Sequence, residues 1–108
     1  MDLLDKYNRK ILAYKNTDMY IVFYSPTCKF SLNAIDLLKH KNKSFKGYNV
    51  DKLSGGIGKL LHYLDLGKGV TGYLPSHKTK PVIFHRGKFI GGFTELRSYL
   101  ATHLCEQC

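Results

Sequence analysis

The chain of 108 residues contains no tryptophan, three prolines and three cysteines, and only 8 acidic residues against 17 lysines and arginines. One cysteine lies mid-chain and two lie at the very end, too few and too uneven a set for a disulfide framework. This scarcity is typical of a reducing compartment, and a cytoplasmic location is expected. No run approaches the ~20 apolar residues of a membrane span, so no membrane partner is expected. The charged first ten residues lack the apolar core of a signal peptide.

The shortage of acidic residues leaves a net charge of +9. Such a charge is common in nucleic-acid-binding proteins, but these cations are spread along the chain and never form a run of five. Nucleic acid is therefore not the expected partner. The cations are expected instead to form a lysine-rich surface that favours anionic substrates. Hydrophobic residues make up 44% of the chain, including eight tyrosines and six phenylalanines. That is enough for one modest core, so a single domain over residues 1–108 is predicted.

The sequence does contain a regular alternation of helical and strand patterns. Apolar residues recur at helical spacing in four segments, near residues 2–16, 27–40, 54–64 and 94–104. Short apolar or alternating runs predict strands at residues 19–24, 44–51, 81–84 and 88–90. The order α-β-α-β-α-β-β-α predicts an α/β fold, with a parallel crossover between the first two strands and a final antiparallel hairpin. These strands are predicted to form a four-stranded mixed sheet with helices on both faces, and residues 67–80 are predicted to be a glycine-rich loop.

Cys28 is the candidate for chemistry. It follows the first strand and a Ser25-Pro26 turn, and a helical pattern begins directly behind it. A thiol at a helix N-terminus feels unpaired amides and the positive end of the helix dipole, which favour the reactive thiolate. Lys29 adds a cation beside it. The alternative is a buried structural cysteine, since cysteine is among the most buried residue types.

Three separated motifs carry a family resemblance. They are Pro-Thr-Cys-x-x-Ser at residues 26–31, Thr-x-Pro at residues 79–81 and Ile-Gly-Gly-Phe-x-Glu-Leu at residues 90–96. In this order, and on these elements, they resemble the glutaredoxins of the thioredoxin superfamily. The resemblance covers roughly residues 15–104 and leaves residues 105–108 as a short cysteine-containing tail. It implies a thioredoxin-like fold and a glutathione-dependent thiol-disulfide oxidoreductase that acts on glutathionylated or disulfide-containing proteins.

The resemblance also implies roles for individual residues. Cys28 would form a mixed disulfide with glutathione, Pro81 would be a cis-proline facing it, and the backbone of Lys80 would pair with the glutathione cysteinyl unit. Thr94 and Glu95 would hold the γ-glutamyl end, because a helix N-terminus binds carboxylates through its free amides. The remaining implied glutathione contacts are Ser25, Lys29, Phe30, Thr79, Gly92 and Phe93.

Each of these residues also has a simpler reading. Pro81 could begin an edge strand, and Gly91-Gly92 could be only a turn. Phe30 could be a core residue, although the resemblance favours a position beside the thiol. Glu95 could merely complement the helix dipole, and Thr79 could merely cap the loop.

Ser31 stands where many members of the family carry a second cysteine. A serine cannot resolve a disulfide, so the resemblance implies a monothiol route: Cys28 takes glutathione from a protein, and a second glutathione regenerates the thiolate. One turn beyond Cys28, Ser31 could still hydrogen-bond that thiolate, or it could be an ordinary polar residue of the helix.

Two further departures concern the surroundings of Cys28. Many glutaredoxins carry a lysine three residues before the cysteine that pairs with the glycine carboxylate of glutathione, and Ser25 occupies that position here. Lys29, Lys68 or Lys78 could supply the missing charge. The loop over residues 67–80 is also longer than usual for the family, and it either shapes substrate choice or is a tolerated insertion.

Two other functions stay open. One is a carrier of a [2Fe–2S] cluster held between two protomers by cysteine and glutathione; it ranks second because Lys29 replaces that subgroup's glycine and its Trp-Pro pair is absent. The protein is expected to be a monomer unless such a cluster is bound. The other is a redox-inactive binding module with a basic docking surface. In the tail, His103, Cys105 and Cys108 are either idle, an auxiliary redox pair or an incomplete zinc site, and no metal site is predicted.

Overall fold

The structure is a computed structural model that describes residues 6–105, with side chains described for residues 6–102. The helices of this part of the chain are α1 Lys6–Leu12, α2 Lys29–His40, α3 Gly56–Leu66, α4 Lys68–Thr71 and α5 Phe93–Cys105, with a 3₁₀ turn at Val50–Lys52. The strands are β1 Tyr20–Tyr24, β2 Phe45–Asn49, β3 Val82–His85 and β4 Lys88–Gly91. The predicted order of elements is confirmed, with α4 as an addition.

The four strands form one mixed sheet in the order β2-β1-β3-β4. β1 pairs in parallel with β2, so that Val22 lies opposite Gly47, and antiparallel with β3, so that Val22 lies opposite Ile83. β3 and β4 form the predicted antiparallel hairpin. Its turn residues Arg86 and Gly87 have φ angles of 54° and 78°, the positive pair typical of the tight type I′ hairpin turn.

Alternation along the strands divides the core into two layers. Ile21 and Phe23 of β1 pack on one face of the sheet with residues of α1 and α3. Tyr20 and Val22 pack on the other face with residues of α2 and α5. The prediction of helices on both faces is therefore confirmed. Within the described residues, no helix is both long enough and apolar enough to span a bilayer.

Several predicted boundaries were wrong. The first helix ends at Leu12 rather than residue 16, and the chain continues in turns to residue 18; its predicted start at residues 2–5 lies outside the described residues. Because Cys28 has extended backbone angles, α2 begins at Lys29 rather than residue 27. β2 is confined to Phe45–Asn49, since Val50 already begins the 3₁₀ turn.

The segment predicted as a loop, residues 67–80, contains the short helix α4. Long-range contacts hold this segment in place. Lys88 Nζ donates a hydrogen bond to the carbonyl of Val70 at 2.8 Å, and the buried Tyr73 ring packs edge-on against Phe89. Local periodicity over four residues is too short to reveal such a helix.

A polar cluster links β3 to the loop before β1 and to α5. His85, only 6% exposed, stacks on Tyr20 at 4.0 Å between ring centroids. Its Nε2 donates to Asp18 Oδ1 at 2.6 Å, because a carboxylate can only accept, and its Nδ1 lies 2.6 Å from the Tyr99 hydroxyl. The hydrogen bond from His85 holds the pKa of Asp18 below its ordinary value of 3.8, and burial raises the pKa of Tyr20 to about 12.

Removal of this carboxylate should give a pH-dependent loss of stability. A carboxyl group with a lowered pKa stabilises the folded state above its unfolded pKa, and this contribution is lost as the pH falls through the folded pKa. Because the Asp18 side chain is 59% exposed, Asp18→Ala should lower the free energy of unfolding at pH 7 by only about 0.5–1 kcal/mol. Denaturant unfolding should show the difference from wild type shrinking below about pH 4. Asp36→Ala, at an exposed position of α2, is the control, and an equal loss in both variants would contradict the assignment.

Candidate active site

Cys28 is the N-cap residue of α2, as predicted. Its φ and ψ angles are −101° and 120°, and its side chain makes no capping hydrogen bond of its own. The backbone closes the turn on both sides, since Cys28 N–H donates to the Ser25 carbonyl and Leu32 N–H donates to the Cys28 carbonyl, each at 3.1 Å. The half-buried sulfur is thus held above the first amides of the helix, and it is not shielded in the core.

The pKa of the Cys28 thiol is lowered overall. Burial raises this pKa, but the nearby Ser31 amide and hydroxyl, the Phe30 amide and the charge of Lys80 all favour the ionised form of the sulfur and lower it. The neutral thiol has a partner as well, because Cys28 Sγ lies 3.6 Å from the carbonyl oxygen of Lys80. The site therefore accommodates both forms and favours the ionised one.

Ser31 is buried, so it is not an ordinary solvent-exposed polar residue of α2. Its hydroxyl oxygen accepts a hydrogen bond from the Ser25 amide at 3.1 Å and can donate its single proton to the Cys28 thiolate. Ser31 therefore ties the turn before Cys28 to the first turn of the helix. This geometry supports the predicted contact with the thiolate.

Ser25 lies inside the turn before Cys28, and its contact with glutathione stays a prediction. Its side chain is fully buried, its hydroxyl donates to Asp51 Oδ2 at 2.7 Å and it lies 3.0 Å from Thr27 Oγ1. The short side chain is fully engaged inside the turn, whereas a lysine at this position would be long enough to leave it. Asp51, which the sequence analysis did not single out, is the partner that holds this turn.

Pro81 follows a cis peptide bond, as the resemblance implied. The Lys80-Pro81 segment enters β3 directly beside the thiol, as the contact between Cys28 Sγ and the Lys80 carbonyl shows. Two segments more than 50 residues apart in sequence are thereby joined at one edge of the sheet.

The N-terminus of α5 forms the opposite side of the site. Gly92 precedes α5 as its N-cap, and its carbonyl accepts the first hydrogen bond of the helix from Leu96 N–H at 2.9 Å. Glu95 Oε1 accepts from Gly92 N–H at 2.8 Å, which is the reciprocal half of a capping box. Gly91 has a φ angle of 137°, and a Cβ there would come within 2.7 Å of Glu95 Cγ. One oxygen of Glu95 is thus engaged by the backbone, and its pairing with a ligand ammonium stays a prediction.

A groove of about 350 Å³ lies between these segments. It brings together eight of the residues predicted to contact glutathione, namely Phe30, Thr79, Lys80, Pro81, Gly92, Phe93, Thr94 and Glu95. Phe30 is 57% exposed, so it is not a core residue. Lys29 is exposed beside Cys28 but is not part of the groove lining.

The lysines proposed to replace the missing charge lie in different places. Lys68 forms an ion pair with Asp65 at 3.1 Å. Lys78 lines a separate cavity of about 310 Å³ together with Asp65 and Tyr73. Lys80, which was expected to act through its backbone, is the lysine that lines the groove.

His77 also lines the groove and was not predicted from the sequence. Its ring nitrogen Nε2 lies 3.0 Å from the carbonyl oxygen of Pro81. A lone histidine inside a segment predicted to be irregular gives no periodic signal. Its position four residues before the proline of Thr-x-Pro was the one available indication.

The side chains of His103 and Cys105, and all of Cys108, lie outside the described residues. No group of three His, Cys, Asp or Glu that could hold a metal ion occurs within the described part of the chain. The roles of the tail, the [2Fe–2S] carrier and the redox-inactive binding module therefore stay predictions.

Comparison with known proteins gives consistent results. A sequence model of the family described as Glutaredoxin matches residues 20–90. A probable glutaredoxin of Acanthamoeba polyphaga mimivirus is 43% identical over 81 residues, which cover 75% of this chain and 76% of that protein. The dithiolic glutaredoxin 2-C-Grx1 of Trypanosoma brucei brucei has a TM-score of 0.71 at 27% identity, covering 93% of this chain and 91% of that one. The buckwheat glutaredoxin–glutathione complex has the same fold, with a TM-score of 0.67 at 20% identity and coverages of 89% and 80%.

Proposed function

Because this chain belongs to the glutaredoxin family of glutathione-linked thiol oxidoreductases, we propose that it reduces protein–glutathione mixed disulfides by a monothiol route through Cys28. The observation that carries this proposal is the position of the Cys28 sulfur. It lies at the N-terminus of α2, beside the Lys80 carbonyl and with a lowered pKa, and Ser31 rather than a second thiol stands one turn further on. Since the route needs reduced glutathione, we also propose a cytoplasmic location.

The proposed reaction has two thiol–disulfide exchange steps. The Cys28 thiolate attacks the glutathione sulfur of the mixed disulfide, a Cys28–glutathione disulfide forms, and the protein leaves as a thiolate that takes a proton from water. The thiolate of a second glutathione then attacks the glutathione sulfur on Cys28. Oxidised glutathione leaves, and the Cys28 thiolate is regenerated.

The surrounding residues support each step. The amides of Phe30 and Ser31 and the Ser31 hydroxyl stabilise Cys28 as a thiolate, both as the attacking group and as the leaving group. Lys80 places a cation in the wall of the groove, where anionic glutathione would lie. The α5 N-terminus offers backbone amides to a carboxylate, and Gly92, which has no side chain, allows close approach. The solved buckwheat glutaredoxin–glutathione complex is consistent with a ligand of this kind.

A single-turnover experiment tests the proposal, and Ser31→Ala tests the support of the thiolate. Without added glutathione, wild type should release one equivalent of peptide thiol per protein from a glutathionylated peptide and then stop, because Ser31 cannot resolve the adduct. Ser31→Ala should raise the pKa of the Cys28 thiol, measured by thiolate ultraviolet absorbance against pH. Its steady-state rate at pH 7 should fall by no more than about tenfold and should recover at higher pH.

The matched control is the double variant Cys105→Ser/Cys108→Ser, which should behave like wild type. Release of one equivalent of free glutathione after the peptide thiol, leaving an internal disulfide on the protein, would show that the tail resolves the adduct, provided that this release disappears in the double variant. That result would contradict the monothiol route while leaving Cys28 as the nucleophile.

A further inference from the structure

His77 lies in the segment that connects α4 to β3, and both its backbone and its ring are held by contacts. Its backbone carbonyl accepts a hydrogen bond from the hydroxyl of the buried Tyr73 at 2.5 Å. Its ring contacts Phe89 edge-on, with 5.4 Å between ring centroids and an interplanar angle of 68°. A side chain held in this way presents a fixed surface to the groove that it lines.

The bond to Pro81 fixes the protonation of one ring nitrogen. A carbonyl oxygen can only accept, so His77 Nε2 must carry the hydrogen that it donates to Pro81 O at 3.0 Å. Nδ1 of the neutral ring is then an acceptor, and in the imidazolium it is a second donor. The imidazole thus binds Pro81, the residue after Lys80, through Nε2, and Nδ1 is its second polar atom.

The carbon between the two nitrogens faces the N-terminus of α5. His77 Cε1 lies 3.2 Å from the position that a Cβ on Gly92 would occupy. The Pro81 carbonyl oxygen and Glu95 Oε1 lie 3.5 and 3.4 Å from the same position. His77 therefore belongs to the wall at the α5 end of the groove, with Lys80 and Glu95 as the charged groups that line it.

We propose that His77 determines specificity for the γ-glutamyl half of glutathione. This inference rests on the proposed function, under which Thr94 and Glu95 hold that end of the ligand. The γ-glutamyl unit carries an ammonium and a carboxylate, and a ring edge beside two nitrogens offers such a group a polar wall that an aliphatic side chain cannot offer. By donating to Pro81 O, the same ring also positions the segment that faces Cys28.

Two peptide disulfides that differ only in the γ-glutamyl unit separate recognition from a general structural role. One carries glutathione and the other carries cysteinylglycine, which lacks that unit. His77→Ala should reduce kcat/KM for the glutathionyl peptide by about five- to tenfold, mainly through KM. It should leave the rate with the cysteinylglycyl peptide within about twofold of wild type. His77→Gln, whose amide can donate to Pro81 O, should recover part of the preference, and His62→Ala, at an exposed position of α3, is the matched control.

Equal losses of kcat/KM with both peptides in His77→Ala and His77→Gln would overturn the inference. His77 would then have only a structural role. Failure of the proposed function has a different signature, because wild type itself would then turn over neither peptide and Cys28 would carry no glutathione adduct. Should His77→Ala not fold, His77→Phe, which lacks both ring nitrogens, takes its place. Loss of the preference in His77→Phe supports the inference, and a preference equal to that of wild type overturns it.

Discussion

Cys28→Ser is expected to lower the turnover of a glutathionylated peptide by more than about a thousandfold, to the uncatalysed rate. A serine hydroxyl is not ionised at neutral pH and cannot form the disulfide on which the proposed reaction depends. Steady-state assays with glutathione and the peptide would measure the loss. Ser31→Ala, which changes the neighbouring polar group but keeps the sulfur, should stay within about tenfold of the wild-type rate.

Cys28→Ser should disturb the folded structure very little. Cys28 is an N-cap residue that makes no side-chain cap, and serine is among the residues preferred at this position. Thermal unfolding of Cys28→Ser should therefore match or exceed that of wild type. Retention of substantial turnover by a folded Cys28→Ser protein would move the chemistry to another residue and refute the proposed reaction.

Gly92→Leu is expected to raise the KM for glutathionylated substrates by at least about tenfold. A Cβ at this position would already lie 3.2 Å from His77 and 3.5 Å from the Pro81 carbonyl, so a longer side chain must enter the groove or displace its walls. A loss of one or two ligand hydrogen bonds is enough for such an effect. Steady-state kinetics with a glutathionylated peptide would measure it.

The matched control is Gly69→Leu in α4, where a Cβ would meet nothing within 4 Å. Loss of the α5 N-cap preference in Gly92→Leu should cost about 1 kcal/mol of stability, which denaturant unfolding measures separately. An unchanged KM in a folded Gly92→Leu protein would show that the ligand does not lie in this groove.

Local patterns in the sequence predicted most of the scaffold. The strand ending at Tyr24, the Arg86-Gly87 hairpin turn and the last helix follow from periodicity and turn chemistry alone. The cis bond at Pro81 came from the resemblance, since proline by itself is equally compatible with an edge strand. α4 was missed because its four residues are stabilised by contacts with distant residues such as Lys88.

The residues of the site were likewise predictable where they lie inside local motifs, and not where contacts with distant residues place them. The groove residues near Pro81 and Gly92 lie inside motifs, so the sequence identified them. The burial of Ser25 could not be predicted because its partner Asp51 lies 26 residues away, and no local pattern links the two. His77 was missed because its role depends on the fold, which brings its ring against Pro81 and Gly92.

The most direct test of this account is the mass of the intact protein after incubation with oxidised glutathione, followed by peptide mapping of the modified cysteine. We expect one glutathione per chain, on Cys28, and no adduct at this site in Cys28→Ser. Modification of Cys105 or Cys108 with an unmodified Cys28 would contradict it.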